Sequence, residues 1–206
     1  MKKNLIKHVV SIIIGYFFLV CIAFAGNSII DCGGLDKINF LKNGDFESYN
    51  LSTGTYSLPV VSSGINYDFW AREGWAGLDV KKGYSYQGAN NAWIRNNQGW
   101  NAIRQTVMIP PGIQVFAGKK FRVSGMLKTS NNFRMGYFGI KNTRQQVINE
   151  TRFWSNPEYK WFYADFIYTG QPINVFVGFW SAPGEDTWVQ IDNIKLNFVE
   201  CAAYNF

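Results

Sequence analysis

Thr187-Trp188-Val189-Gln190-Ile191-Asp192-Asn193-Ile194-Lys195-Leu196 reads as a β-strand, because apolar and polar residues alternate along it and so divide between two faces. The alternation stumbles once, where Asp192 and Asn193 stand together. A carboxylate among apolar neighbours needs a partner, since burying it unpaired costs more than a strand gains. The best partner lies at the other end of the chain, in Asn43-Gly44-Asp45-Phe46-Glu47, where two carboxylates flank a phenylalanine. The sequence therefore predicts that its first and last strands, 38–48 and 187–196, lie side by side.

Between those ends the period stays close to two. Ala92 and Ile94 share one face while Trp93 and Arg95 share the other. Residues 101–109 alternate in the same way and stop at Pro110-Pro111-Gly112, where a fixed φ followed by a permissive glycine makes a turn. Further strands are expected at 120–128, 133–141, 146–153, 160–168 and 173–181, and residues 49–64 read as a loop or weak edge hairpin. Outside the first 25 residues no helical period persists over three turns. Short strands at intervals of about 8 to 15 residues predict an all-β fold, a two-sheet antiparallel sandwich.

Residues 1–25 have the layout of a secretory signal: Lys2, Lys3 and Lys7, then an apolar run, then Ala23-Phe24-Ala25. A retained anchor is the alternative, but the run from Val9 to Phe24 is about 16 residues, short of the ~20 that span a bilayer. The expected mature chain, 26–206, is one domain, secreted to the periplasm or beyond, with 47% apolar residues overall to build its core. It keeps two cysteines, Cys32 and Cys201, expected to pair as a disulfide across the two ends. In a chain-entropy account so long a loop makes such a bridge worth on the order of 5 kcal/mol. Losing the leader lysines lowers the formal charge from +6 to about +3, with no basic stripe of the kind nucleic acids need. The single histidine, His8, leaves with the leader, which excludes a histidine triad or histidine metal site.

Several short motifs carry a resemblance. They are Asn43-Gly44-Asp45-Phe46-Glu47, Gly74-Trp75, Gln87-Gly88-Ala89, Gln105-Thr106-Val107, Pro111-Gly112, the run from Phe121-Arg122-Val123 through Lys128-Thr129, and Trp188 to Leu196. In this order and spacing the chain resembles the jelly-roll carbohydrate-binding modules of families 4, 9 and 22. The resemblance implies a structural calcium ion tying the first strand to the last, with Glu47 and Asp192 as ligands and Asp45 beside them. Calcium takes six to eight hard oxygens in irregular geometry, so carboxylates and carbonyls suffice. Pairing of Glu47 and Asp192 with hydrogen-bond donors is the alternative. Asp192-Asn193 also departs from the two consecutive aspartates of many relatives, which lowers the charge available.

Eight tryptophans invite a sugar-binding reading, in which rings stack on pyranose faces and amides or guanidinium groups bond the hydroxyls. Sandwich cores use large aromatics too. Alternation sets Trp93 and Arg95 opposite the core, with Arg104 and Arg134 expected on the same kind of face. Together these make a glycan groove, although a solvated strand face would show the same pattern. Trp70, Trp75, Trp100 and Trp154 fall near turns and are expected as loop platforms; Trp180 is a further candidate, and Trp161 and Trp188 are expected in the core. A glycanase needs two carboxylates about 5 to 9.5 Å apart across a cleft, and the adjacent Glu185 and Asp186 read most simply as a turn. The sequence thus predicts a non-catalytic protein recognising a polysaccharide or glycoconjugate. The alternative is a cell-envelope component that uses the sandwich as scaffold for a protein partner.

Overall fold

The computed structural model describes residues 37–61, 69–109 and 117–199. The leader, Cys32, Cys201 and the Pro110-Pro111-Gly112 turn lie outside the described residues. Eleven strands follow in chain order: β1 (Gly54–Ser57), β2 (Ala71–Glu73), β3 (Ala76–Val80), β4 (Asn90–Arg95), β5 (Gly99–Val107), β6 (Lys120–Thr129), β7 (Gly136–Asn142), β8 (Val147–Phe153), β9 (Lys160–Ile167), β10 (Ile173–Ser181) and β11 (Trp188–Phe198). They form a six-stranded sheet, β1-β3-β4-β11-β6-β9, and a five-stranded sheet, β2-β5-β10-β7-β8. All the strand pairings are antiparallel. Among the described residues no helix is long and apolar enough to cross a membrane.

β11 lies between β4 and β6, and Val189, Ile191, Ile194, Leu196 and Phe198 are all buried. The first two are odd-numbered and the last three even, so a regular strand could not place them on one face. A bulge reconciles them. The register against β6 shifts between Asp192 and Lys195, and Asn193 adopts φ 50°, a left-handed conformation that asparagine tolerates better than most residues. The Asp192-Asn193 doublet is therefore what keeps both halves of the strand facing the core. Across the sandwich, Ile103, Phe138, Ile140, Val175, Val177 and Phe179 supply the facing layer. Each such side chain contributes about 1.5–3 kcal/mol through burial.

The two ends of the described chain meet, as expected, though 38–48 is not a strand. Phe40 N–H donates to Leu196 O (2.9 Å) and Ile194 N–H to Gly44 O (2.7 Å), while between them the chain turns. Asn43 and Phe46 take φ 50° and 59°, which a regular ladder does not accommodate. Gly44 has to be glycine here: a Cβ would lie 2.0 Å from Ile194 O. Phe46 plugs the core behind it, beside a fully buried Trp70 whose Nε1 donates to Asn43 O (3.1 Å). Trp70 is thus a core residue and not a loop platform.

Other expectations shift. The strand expected from 133 begins at Gly136, because Phe133 N–H closes a turn onto Ser130 O (3.1 Å). Trp161 and Trp188 leave the core. Trp161 is 52% exposed and stacks on Tyr163 at 4.7 Å, and Trp188 faces outward from β11, where polar Gln190 follows it on the same face.

Candidate functional site

The five-stranded sheet builds a groove on the face turned away from the core. In β10, Val175, Val177 and Phe179 point inward, which leaves Asn174, Phe176, Gly178 and Trp180 outward. Cross-strand register extends that outward row. Phe176 faces Arg104 and Gly139, Gly178 faces Ala102 and Tyr137, and Trp180 faces Trp100. Gly178 is small for a reason, since a Cβ there would sit 2.5 Å from the Trp100 ring and 2.7 Å from the Ala102 Cβ. The indole of Trp100 lies over that gap.

Around Trp100 the side chains are fixed by one another. Its ring centre is 5.6 Å from Trp180 and 6.2 Å from both Tyr137 and Phe176. Its Nε1 donates to Glu73 Oε2 (2.7 Å), and the other oxygen of Glu73 takes Arg104 Nε (3.3 Å). Lys141 Nζ stands 4.8 Å over Trp100 and 4.2 Å over Phe176, and burial pulls its ammonium pKa down. The groove encloses about 380 Å³ and is also lined by Gln145, Val147 and Glu150. An apolar floor, one exposed indole (Trp180, 68%) and a few polar groups of both signs are what a sugar ring needs: stacking area and directed hydrogen bonds.

The residues singled out from sequence fall on two sheets and not one. Trp93 and Arg95 belong to the six-stranded sheet, whereas Arg104 belongs to the five-stranded one. The single groove expected from them does not exist, because β4 and β5, consecutive in the chain, lie in opposite sheets. Trp93 does face away from Ala92 and Ile94, yet it is only 5% exposed, lying over Gly77 with Trp75 edge-on at 5.8 Å. Trp100 and Trp180 are in the groove. Arg134 is off the strand ladder, paired with Glu185 (2.5 Å) in a smaller hollow that shares Trp180. Trp154 is exposed just after β8 and lines neither sheet's groove. Sequence reasoning missed Glu73, Tyr137, Lys141 and Phe176. The last was legible in Asn174-Val175-Phe176-Val177-Gly178-Phe179-Trp180, where aromatics and a glycine alternate against the valines.

Glu47 and Asp192 converge on one loop. Glu47 Oε1 accepts the N–H groups of Ala89 and Asn90 (both 2.8 Å), and Asp192 Oδ2 those of Tyr86 (2.8 Å) and Gln87 (2.9 Å). Asp192 Oδ1 takes Asn193 N–H at 2.6 Å. Burial, reinforced by the charge of Glu47, pushes the Asp192 carboxyl up to about 6 against the pull of those three donors. Asp45 instead caps its own turn onto Glu47 N–H (3.3 Å), and among the described residues no three Asp, Glu, Cys or His gather to hold a metal. The donor chemistry still suits a hard cation. Glu47 Oε2 is free of these bonds, Asp192 Oδ1 has room for a second partner, and the buried Asn90 Oδ1 has none while its amide nitrogen bonds Phe46 O (3.1 Å).

No protein-family model matches the sequence, and no curated protein matches it. Solved structures do. The chain is similar to TmCBM61, solved in complex with β-1,4-galactotriose, with a TM-score of 0.52 and 16% identity over 79% of this chain and 99% of that one. It is similar to a CBM4 structure (TM-score 0.51, 13% identity, 77% of this chain, 99% of that one). A third likeness is to an arabinose-bound α-L-arabinofuranosidase, with a TM-score of 0.50 and 13% identity over 77% of this chain but 26% of that one. What is shared at these identities is architecture: the chain has the jelly-roll sandwich fold of carbohydrate-binding modules.

Proposed function

We propose that this is an exported, non-catalytic protein that binds a polysaccharide or glycoconjugate in the groove of the five-stranded sheet. The observation that carries the reading is the platform of Trp100 and Trp180, tilted at 52° to each other over the Gly178 gap and flanked by Glu73, Arg104 and Lys141. Two ring faces with hydrogen-bonding groups beside them match a sugar that is apolar on its faces and polar at its edge. The sugar-bound relative in fold supports the same reading, and the leader-like first 25 residues support export. Glu73, one of the two carboxylates that line the groove, does not argue for hydrolysis. Glu73 is committed on both oxygens, to Trp100 and Arg104, so it serves to hold the platform and its neighbour in place.

Calcium belongs to this proposal as a structural ion. Glu47 and Asp192 would hold it, with the amide oxygen of Asn90, and it would neutralise two like charges that now face one loop. The test is retention of the full chain on a panel of soluble and insoluble polysaccharides, with release of reducing ends followed in parallel. Retention on one glycan class, without new reducing ends and lost in Trp100→Ala, is the expected result. A parent protein retained by no glycan overturns the reading.

A further inference from the structure

The six-stranded sheet has a pocket on its own outer face, and two buried polar atoms there are unsatisfied. Trp93, Gln190, Arg95, Lys128, Asp79 and Tyr84 surround a space of about 280 Å³. Trp93 and Gln190 face each other directly across the β4–β11 ladder. The indole Nε1 of Trp93, a donor, and the Oε1 of Gln190, an acceptor, are both buried and both without a partner. Leaving such groups unpaired costs roughly 1–3 kcal/mol each, and the fold supplies nothing to relieve it. A hydroxyl group can accept from the first and donate to the second at once.

The charge of the pocket narrows the ligand further. Among the described residues neither Arg95 nor Lys128 forms an ion pair; Arg95 leans on the Trp93 ring (5.8 Å) and Lys128 on that of Tyr159 (5.9 Å). The one carboxylate present, Asp79, is turned to the Thr55 hydroxyl (2.7 Å). The wall bearing Tyr84 is held in place: its carbonyl accepts the Tyr159 hydroxyl (2.7 Å), and the next residues hang from Asp192. At about 280 Å³ the space is just below the usual range of ligand pockets, about 300–1,000 Å³, which suits one ring and not a chain.

We infer that this pocket is a second binding site, for a single acidic sugar residue such as a uronate, with a ring hydroxyl between Trp93 Nε1 and Gln190 Oε1 and the carboxylate toward Arg95 and Lys128. It is on the sheet opposite the Trp100 groove and does not depend on how that groove is used.

The experiment is titration of the full chain with D-galacturonate and, separately, with uncharged D-galactose, followed by calorimetry and tryptophan fluorescence. Saturable galacturonate binding is expected, at least roughly tenfold tighter than galactose. Gln190→Leu and Arg95→Gln should each weaken it by about tenfold or more, while Trp100→Ala leaves it unchanged. Gln190→Leu removes an unpaired buried oxygen at similar volume, so it should melt no lower than the parent, which separates lost binding from lost fold. Absence of saturable galacturonate binding overturns the inference, as does binding that survives both variants. Binding abolished by Trp100→Ala would move the uronate to the opposite sheet, overturning this site while leaving the groove reading intact.

Discussion

Gly178→Ala should damage the groove directly, because the new methyl would sit beneath the Trp100 indole. The added methyl would sit 2.5 Å from Trp100 Cζ2 and 2.7 Å from the Ala102 Cβ, well inside contact distance. Ala102 cannot yield, being part of the buried β5 ladder, so the indole has to lift. Lifting it breaks the 2.7 Å bond from Nε1 to Glu73, a charge-assisted bond worth about 1.5–3 kcal/mol, and adds overpacking strain of about 1–3 kcal/mol. The stability loss expected is roughly 2.5–6 kcal/mol, with the lower half favoured because Trp100 is only partly buried. Binding should suffer separately. A displaced platform forfeits much of the ~1.5–3 kcal/mol that covering an aromatic face provides, or about tenfold to a hundredfold in affinity. Thermal melting and polysaccharide retention of the same samples measure both. In a Trp100→Ala background most of the clash is gone, so the two changes should couple by roughly 1 kcal/mol or more. Parent-like melting and retention in Gly178→Ala, or strict additivity with Trp100→Ala, would refute the geometry.

Gly44→Ala should detach the N-terminal segment from β11, because its Cβ meets the Ile194 backbone oxygen at 2.0 Å and no side-chain rotation relieves that. Two backbone hydrogen bonds and part of the Phe46 packing are at risk, so a loss of about 2–4 kcal/mol is expected by thermal or denaturant unfolding. Asp165 is held below the usual carboxylate range by its bonds to Arg122 (2.6 and 2.9 Å), with Lys120 adding to the effect. A depressed folded pKa means that its contribution is complete above the unfolded value near 3.9 and disappears as pH falls through the folded one. The stability gap between parent and Asp165→Asn should therefore be flat from neutrality to about pH 5, no more than roughly 1 kcal/mol given solvent screening, and close below about pH 4. Calcium at a hundredfold excess over its Kd should raise stability by about 3 kcal/mol, reversibly with chelator, and Asp192→Ala should abolish that response; identical melting with and without chelator in the parent would exclude the ion.

How far the sequence could be read depended on whether the relevant period lay within one segment. β11 and β10 alternate strongly enough to be placed as strands from residues alone, and the stumble at Asp192-Asn193 corresponds to a real bulge, although Trp188 takes the outer row of β11 and not the core expected for it. Alternation tells which face a residue takes but not which sheet it is in. Arg95 and Arg104 therefore looked like neighbours, although the chain crosses from one sheet to the other between them. Trp161 was misplaced for a related reason. Its row on β9 holds Tyr163 and Asp165, with Ala164 and Phe166 opposite, so the inward face is the even-numbered one. β2 and β3 escaped notice because one is three residues long and the other, Ala76–Val80, is buried at every position and shows no contrast. The ends are expected to meet, and they do, but through turns, two backbone hydrogen bonds and the Asn39 side chain, none of which leaves a period in the sequence.

The grip of Glu47 and Asp192 on residues 86–90 has a consequence for both outer faces. The two carboxylates hold four backbone N–H donors of one loop, those of Tyr86, Gln87, Ala89 and Asn90, and Gly88 is the residue that lets the loop close on them: a Cβ there would meet Glu47 Oε1 at 2.4 Å, and its φ is 73°. That loop carries Tyr84 and Tyr86 onto the outer face of the six-stranded sheet, where Tyr159 receives them and Lys128 stands over the Tyr159 ring. The Trp100 groove has no such dependence, since its parts come from β2, β5, β7, β8 and β10 and are braced by Glu73. Loosening the 86–90 loop, by chelator or by Glu47→Ala, should therefore weaken ligand held beside Tyr84 while leaving retention at Trp100 close to that of the parent. Equal loss at both faces would mean that the loop supports the whole sandwich and not one wall of it.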